Sequence, residues 1–558
     1  MASIGGETPT APSALGPLHH PVFRAVWLAS LASNFGGLIQ SVGASWMMTS
    51  IATSADMVAL VQASATLPIM LLSLFAGAVA DSLDRRRVML TAQGFMLTIS
   101  LLLALAAWTG IITPWLLLLF TFLIGCGTAL NGPAWQASVG EMVPRRDLPS
   151  AVALNSMGFN IARSLGPAIG GIIVAVAGAA AAFAVNALSY LALIAVLIRW
   201  HPERPPSSLP RESLGAAMLA GVRYVSMSPS VLVIILRAFV FGLGAVSVTA
   251  LLPLVAREQV GGGPLTYGLL LGAFGIGAVG GALASTRLRA RSSTEATVRW
   301  STTAFAVAIL VVAVSTNLPI TLAALLPAGA SWVLALSTFN VSVQMSTPRW
   351  VVARALSLYQ MAAFGGMAGG SWLWGTIAEA QGIPEALFGA AGVMLGCALL
   401  GLGLPVPDLG QRDLDPLDRW KAPDTAVPLD GRTGPVVIAV DWRIAEADVP
   451  RFLAAMAERR RIRRRDGARN WVLLRDLTEP NLWVERYHTP TWHDYIRLNN
   501  RVTRDDAETL DRLRGLHRGE WPPFVHRLIE REARSIPDED AAAARALAGP
   551  ITDPTRGS

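Results

Sequence analysis

Gly77-Ala-Val-Ala-Asp81-Ser-Leu-Asp-Arg85-Arg86-Arg87 ends a long apolar run in an acid and, after three further residues, three consecutive arginines. Gly77 and Asp81 are four residues apart and share one helix face, so a partner helix can approach at Gly77 while Asp81 meets a cation at a membrane surface. The arginines then mark which side of the membrane that surface faces.

Composition agrees. Of 558 residues 53% are hydrophobic and 15% charged, with a mean hydropathy of +0.47, which sets the chain apart from soluble globular proteins and points to a polytopic membrane protein. The net charge of +7 is carried by arginine, Lys421 being the only lysine, a skew that fits a GC-rich genome better than a binding chemistry. Cys126 and Cys397 lie far apart inside apolar runs and read as packing residues, so neither a disulfide framework nor a metal site is expected. No cofactor is implied, and with no Walker-type Gly-x-x-x-x-Gly-Lys-Ser/Thr, ATP-driven transport is excluded.

Crossing the hydrocarbon core takes about 20 apolar residues. Twelve runs of that size fall within 22–49, 57–80, 88–110, 113–133, 150–177, 179–199, 231–255, 265–286, 297–316, 318–341, 354–380 and 384–404. The connecting segments 81–87, 144–149, 199–223, 287–299 and 345–354 carry arginines, whereas the alternate segments carry none except Arg257. By the positive-inside rule the first set is cytoplasmic, as are both termini. The organisation expected is a disordered tail over 1–20, a six-helix half over 21–200, a cytoplasmic linker over 201–229, a second six-helix half over 230–405, a linker over 406–434, a soluble α+β domain over 435–535 and a disordered tail over 536–558.

An internal repeat supports the two halves. At one constant offset Gly77 falls on Gly281, Asp81 on Ser285, Arg85 on Arg289, Pro144 on Pro348, Ala151 on Ala355, Gly166 on Gly370 and Gly171 on Gly375. Six helices per repeat give parallel halves, with the repeat axis along the membrane normal and a solute path between them. The acid occurs only in the first copy, so charge-based gating is asymmetric.

Gly77-x-x-x-Asp81-x-x-x-Arg85-Arg86 resembles the loop 2/3 signature of the major facilitator superfamily, with Ser82 and Asp84 replacing its usual basic residue and glycine. Gly166-Pro167-x-x-Gly170-Gly171 in the fifth helix resembles the motif of drug and metabolite antiporters, with Ala162 in place of the preceding glycine. Together with Pro144 to Asn155 it is similar to the enterobactin-exporter-like branch of transmembrane secretion effectors. The resemblance covers residues 20–405 and implies the bacterial cytoplasmic (inner) membrane and outward transport driven by proton exchange. It also implies gating or coupling roles for Gly77, Asp81, Arg85, Arg86, Gly166, Pro167, Gly170 and Gly171.

Arg163 lies midway along its run, where a charge costs at least a few kcal/mol unless it faces a cavity or partner. Ser156, Asn160, Arg163 and Pro167 form one stripe. Two readings stand: contact with an anionic or oxygen-rich solute, or a network tying the helix to a neighbour. Asn34, Gln40, Asn131, Gln136, Asn340, Gln344, Tyr359 and Gln360 are further candidate substrate contacts by resemblance, each also readable as a packing residue. Arg237 reads as snorkelling to the cytoplasmic surface. No acid lies at the centre of any run; Asp81, Glu141 and Glu379 lie near run ends. The glycines from Gly268 to Gly281 read as close packing or as smooth faces for rocking.

In the tail, Val436 to Arg443, Asn470 to Asp476, Leu482 to Thr489 and Pro523 to Ile529 read as strands, and Val449 to Arg465 and Thr491 to Leu516 as helices. That β-α-β-β-α-β order is ferredoxin-like. It resembles the small α+β barrels of the antibiotic-biosynthesis monooxygenase type, which pair through their sheets, so a homodimer through this domain is one expectation. The arginine run Arg459 to Arg465 reads as a solvated helix face or an anionic-lipid contact, and no nucleic-acid platform accompanies it. Trp471, Trp483, Tyr487, His488, Trp492, His493 and Tyr495 read as domain core or as a small-molecule pocket. The expected function is secondary export of a small organic solute by alternating access, the chain not being an enzyme. The alternative is a transporter fused to a catalytic monooxygenase-like domain.

Overall fold

The computed structural model describes residues 15–530 apart from 145–146, 202–213, 349, 409–412, 415–416, 418–419, 421 and 424; the side chains at 81, 82, 149, 153, 214, 216, 217, 286, 289 and 290 also lie outside the described ones. Two compact units result, one of residues up to 411 without 348–350, the other of the remainder.

The first unit is helical: α1 (Pro21–Ile51), α2 (Ala55–Ser82), α3 (Arg85–Trp108), α4 (Pro114–Met142), α5 (Leu148–Arg199), α6 (Leu214–Ser226), α7 (Pro229–Leu254), α8 (Pro264–Arg291), α9 (Thr294–Val314), α10 (Leu318–Met345), α11 (Val352–Gln381) and α12 (Ile383–Gly403). Many begin on proline in the first turn, where the missing N–H removes no bond. Ten helices among the described residues are long and apolar enough to cross a membrane. Within α5, Gly178 has φ 79° and ψ 172°, a conformation that breaks the helix and is open to glycine at no steric cost. It stands in the segment expected to join the fifth and sixth crossings.

Two segments differ from expectation. The segment read as a linker contains α6, and Gly16–His19 in the leader form a 3₁₀ turn. His20, next to that turn, lies 3.0 Å from Asp147, which anchors the start of α1 to that of α5. The leader before residue 15 and the tail after 530 lie outside the described residues.

Within the first repeat α1 packs on α5, α2 on α4 and α3 on α4 and α5. In the second α7 packs on α11, α8 on α10, and α9 on α10 and α12. The repeats meet chiefly along α2 with α11 and α5 with α8. Phe241 centres an aromatic core in the second repeat, 6.0–6.2 Å from Phe305, Phe339 and Trp332.

The second unit holds four strands, β1 (Val436–Arg443), β2 (Arg469–Arg475), β3 (Leu482–Thr489) and β4 (Val525–Ile529), in the antiparallel order β2-β3-β1-β4. Its helices are α13 (Val449–Asp466), α14 (Trp492–Asn500) and α15 (Arg504–Leu516). The single helix expected over 491–516 is thus two, because Thr503 caps α15 in a reciprocal capping box with Asp506. Strand β1 alternates, sending Val436, Ile438, Val440 and Trp442 into a core with Phe452, Met456, Tyr495 and Leu513.

Candidate functional site

The opening motif is held by backbone carbonyls. Asp84 caps α3 by accepting from the Arg87 N–H. Arg85 donates to the Ala137 carbonyl at 2.9 Å and pairs with Glu141 at 2.7 Å, both on α4. Arg86 donates to the carbonyls of Leu197 and Ile198 at 2.8 and 2.6 Å, a cation on the unsatisfied C-terminal carbonyls of a helix. Gly77 meets the opposite repeat: a β-carbon there would lie 3.2 Å from Ser357 Oγ on α11, and Ser73 donates to the Ser357 carbonyl at 3.2 Å.

The α5–α8 seam is closer still. Gly166 and Gly170 face α1, at Leu38 and Ile39, while Gly171 faces Gly268 of α8. A β-carbon at Gly275 would fall 2.6 Å from the Arg163 carbonyl oxygen, and Ser164 donates to the Gly275 carbonyl at 3.1 Å. This seam positions Arg163. Its guanidinium crosses to the other repeat and lies 5.6 Å from the ring centroids of Phe274 on α8 and Trp332 on α10. Among the described residues no carboxylate pairs with it and no group accepts a hydrogen bond from its side chain. The residue is half-buried, and among the described residues two cation–π contacts compensate its charge.

The other polar candidates are scattered. Gln40 is buried inside the first repeat, bonded to Ser100 at 3.2 Å and to Asn186. Asn131 accepts from Gln93 at 3.2 Å, and Asn160 donates to the Ser156 carbonyl one turn back. Tyr359 donates to the Leu336 carbonyl at 3.2 Å, and Gln344 bonds Asn340 one turn back along α10. Asn34 and Gln360 are half-buried, and Gln136 is exposed.

Arg237 does not snorkel. It is fully buried and paired with Glu295 of α9, and it reaches the Cys397 carbonyl at 3.3 Å. Glu295 also accepts from the Val406 N–H at 2.8 Å and lies 3.6 Å from Arg299. Glu295 was missed because it falls in an arginine-bearing connection, yet Ser293 before it is a helix cap that accepts from Ala296 N–H, the local mark of a helix start.

At the opposite, arginine-poor end, Glu379 of α11 accepts from the Ala55 N–H at the start of α2, where a helix N-terminus favours an anion. This contact joins the two repeats beside a cavity of about 690 Å³ lined by Thr49, Arg257, Glu258 and Glu379 among others.

Residues 12–536 match the family described as transmembrane secretion effector. The chain belongs to that family, a branch of the major facilitator superfamily. The chain is 26% identical over 391 residues to the multidrug efflux pump Tap of Mycolicibacterium fortuitum, covering 68% of the chain and 95% of Tap. It is 32% identical to the staphyloferrin A transporter of Staphylococcus aureus over 29% of the chain and 41% of that protein. It is 30% identical to the enterobactin exporter EntS of Shigella boydii over 48% of the chain and 64% of that protein. The chain thus spans less than two thirds of the latter two. Among solved structures it is similar to the nucleoside transporter NupG carrying a single substitution (TM-score 0.57, 13% identity, 69% and 99% covered) and to a bacterial homologue of the lysosomal transporter Spinster (0.53, 14%, 69% and 95%). These share its fold. The family and these relatives are transporters, not enzymes, and the chain is a multi-pass membrane protein.

In the tail the arginine run is divided. Arg459 and Arg463 turn inward to Glu485 on β3, at 2.7 and 3.8 Å, and Arg465 pairs with Asp466 and Asp506 at 2.9 and 2.7 Å. Arg460, Arg461 and Arg464 alone stay exposed, so the run is not one solvated face. Tyr487, Trp492 and Tyr495 are core residues. Burial would push Glu485 up, but Arg459 and Arg463 hold it below the usual carboxylate range. Burial pushes Asp466 up to about 6, against the pull of Arg465 and with a smaller push from Asp506. The unfolded value is lower, so the folded tail holds this proton more tightly. Its contribution is therefore greatest below about pH 4 and is lost as pH rises through 6. Asp466→Asn is expected to raise the tail's melting temperature at pH 7.5 while leaving it nearly unchanged at pH 4, by calorimetry of the solubilised protein. A lower melting temperature at pH 7.5 would contradict this.

Proposed function

We propose that the protein is a secondary exporter of a small organic solute, siderophore-, drug- or metabolite-like, working by alternating access with substrate contact at Arg163 and with protons as the exchanged ion. The observation that carries this reading is the Arg163 guanidinium on the α5–α8 seam, which has no carboxylate partner among the described residues: a charge kept in mid-membrane without one marks a solute path. The names of the multidrug efflux pump and the enterobactin exporter support outward transport, and that of the staphyloferrin A transporter supports a siderophore-like solute. Asn160, on the same stripe, is a further polar contact in this reading.

Twelve crossings follow if the Gly178 break divides α5 in two and the thirty-residue α11 is counted with the ten apolar helices. The internal repeat then gives two parallel halves, and the arginine-bearing connections put both termini in the cytoplasm. Rocking would open and close the α2–α11 and α5–α8 seams, with Gly77 on the first, Gly171 against Gly268 on the second, Gly166 and Gly170 holding α5 to α1, and Glu379 closing the arginine-poor end. Asp81 remains the coupling candidate of the first repeat. The tail is ferredoxin-like in this proposal, supported by its β-α-β-β-α-β order and antiparallel β2-β3-β1-β4 sheet. The face of that sheet turned from the helices exposes Val472, Leu474 and Leu528, which suits pairing with a second copy, and Arg460, Arg461 and Arg464 suit anionic lipid.

The test is uptake into inverted membrane vesicles with and without a pH gradient, using a panel of siderophores and cationic drugs. Accumulation of at least one of them that collapses with the gradient is expected. Uptake of none would overturn the export reading, and uptake indifferent to the gradient would overturn proton exchange alone.

A further inference from the structure

The tail carries a cavity that transport does not use. About 220 Å³ of space lies between α13, α15, the end of α14 and the preceding segment, lined by Trp420, Ile462, Arg463, Asn500 and Leu510 among others. That is room for several waters at about 30 Å³ each, or for one flat ring.

Its charges are unevenly matched. Both oxygens of the buried Glu485 are already engaged: Arg459 donates to one at 2.7 Å and the Trp471 indole to the other at 3.0 Å. Arg463 stands 3.8 Å from that carboxylate and donates no hydrogen bond to a described residue; its Nε is sealed from solvent and unpartnered. The side chain is only 13% exposed, and its cationic head lies 4.9 Å over the Tyr487 ring. The acids on the cavity wall are committed elsewhere, Asp506 to Arg465 at 2.7 Å and to Thr503, Asp511 to Arg514 at 3.6 Å. Leaving a buried guanidinium unbonded is costly, and a carboxylate matches its donor geometry. Leu417, Trp420, Ile462, Val502 and Leu510 give the cavity an apolar side, alongside polar lining that includes Asn499, Asn500 and Thr509, and Trp420 is held edge-on to Tyr495 with centroids 5.7 Å apart.

We propose that this cavity binds a small arylcarboxylate, its carboxylate paired with Arg463 and its ring lying against Trp420 and Leu510. The site belongs to the tail alone and stands whether or not the membrane unit exports such a molecule. The probe is benzoate, titrated calorimetrically into the full chain in nanodiscs, with the isosteric neutral benzamide as control. One benzoate per chain is expected, with benzamide at least about tenfold weaker. Arg463→Met should weaken benzoate about tenfold or more, and Arg463→Lys should restore part of it. Leu510→Trp keeps the charge and fills the space, so it should abolish binding even if Arg463→Met fails to fold. No benzoate binding by the native protein, or binding unchanged in Leu510→Trp, would overturn the site. Binding unchanged in a folded Arg463→Met, or benzamide binding as well as benzoate, would overturn the pairing with Arg463.

Discussion

Replacing Glu295 by alanine is expected to remove most of the folded protein from the membrane. Arg237 has no exposed surface, and its partners are Glu295, the Cys397 carbonyl at 3.3 Å and the Leu404 carbonyl at 3.4 Å. Without the carboxylate a guanidinium is left buried with two long hydrogen bonds. Breaking a buried pair by removing one member costs about 3–5 kcal/mol, a large part of a typical folding free energy. The same substitution frees the Val406 N–H, which now donates to Glu295 at 2.8 Å. Space leads to the same conclusion. A β-carbon at Gly401 would crowd the Glu295 carboxylate and lie 2.9 Å from Arg237 Nη1, so Gly401→Ala should push the pair apart and destabilise in the same direction as Glu295→Ala. Heating solubilised protein and following the monodisperse peak by size-exclusion chromatography would show a markedly lower midpoint for both. The double change Arg237→Met with Glu295→Leu removes the pair as a unit and should recover much of the loss, because apolar replacement of a buried ion pair is often neutral. A double variant as unstable as Glu295→Ala would mean that the pair is not the cause.

This cluster also shows where sequence reading stops. The apolar runs, the repeat and the Gly77-x-x-x-Asp81 motif were legible because periodicity and charge alternation are local properties. Even the role of Gly77 was visible in part: small residues permit close approach, and α11 does approach there. Which helix approaches is a tertiary fact. Glu295 and Arg237 lie far apart in sequence, and each alone reads as a surface charge; only the convergence of α7, α9 and α12 makes them a buried pair. The tail arginines follow the same logic. Six cations in a seven-residue stretch look like one solvated face, but a helix turns about 100° per residue, so Arg459 and Arg463, one turn apart, point at β3 while Arg460, Arg461 and Arg464 do not. Arg163 was found for the opposite reason: a charge amid an apolar run stands out without any knowledge of its neighbours, whereas Phe274 and Trp332, the rings it meets, are inconspicuous in apolar helices.

Arg163→Leu is expected to abolish transport while leaving the protein as stable as before or more so. The native side chain keeps a charge at mid-membrane depth at a cost of at least about 2.5 kcal/mol, and its two ring contacts, each at 5.6 Å, return on the order of 0.5–2 kcal/mol apiece. Those terms nearly cancel, so leucine, which removes both, should not lower the thermal midpoint. A packing residue would behave in the opposite sense, with transport per folded molecule retained and stability reduced. Arg163→Lys keeps the charge but loses the planar fork that pairs with carboxylates or other oxygen-rich groups, so it should retain some transport with a raised KM. The measurement is initial transport rate per folded molecule, set beside the thermal midpoint of the same preparation. Transport within about twofold of native in Arg163→Leu, or a midpoint that falls with transport intact, would remove Arg163 from the solute path and leave it as a tie between α5 and the rings of α8 and α10.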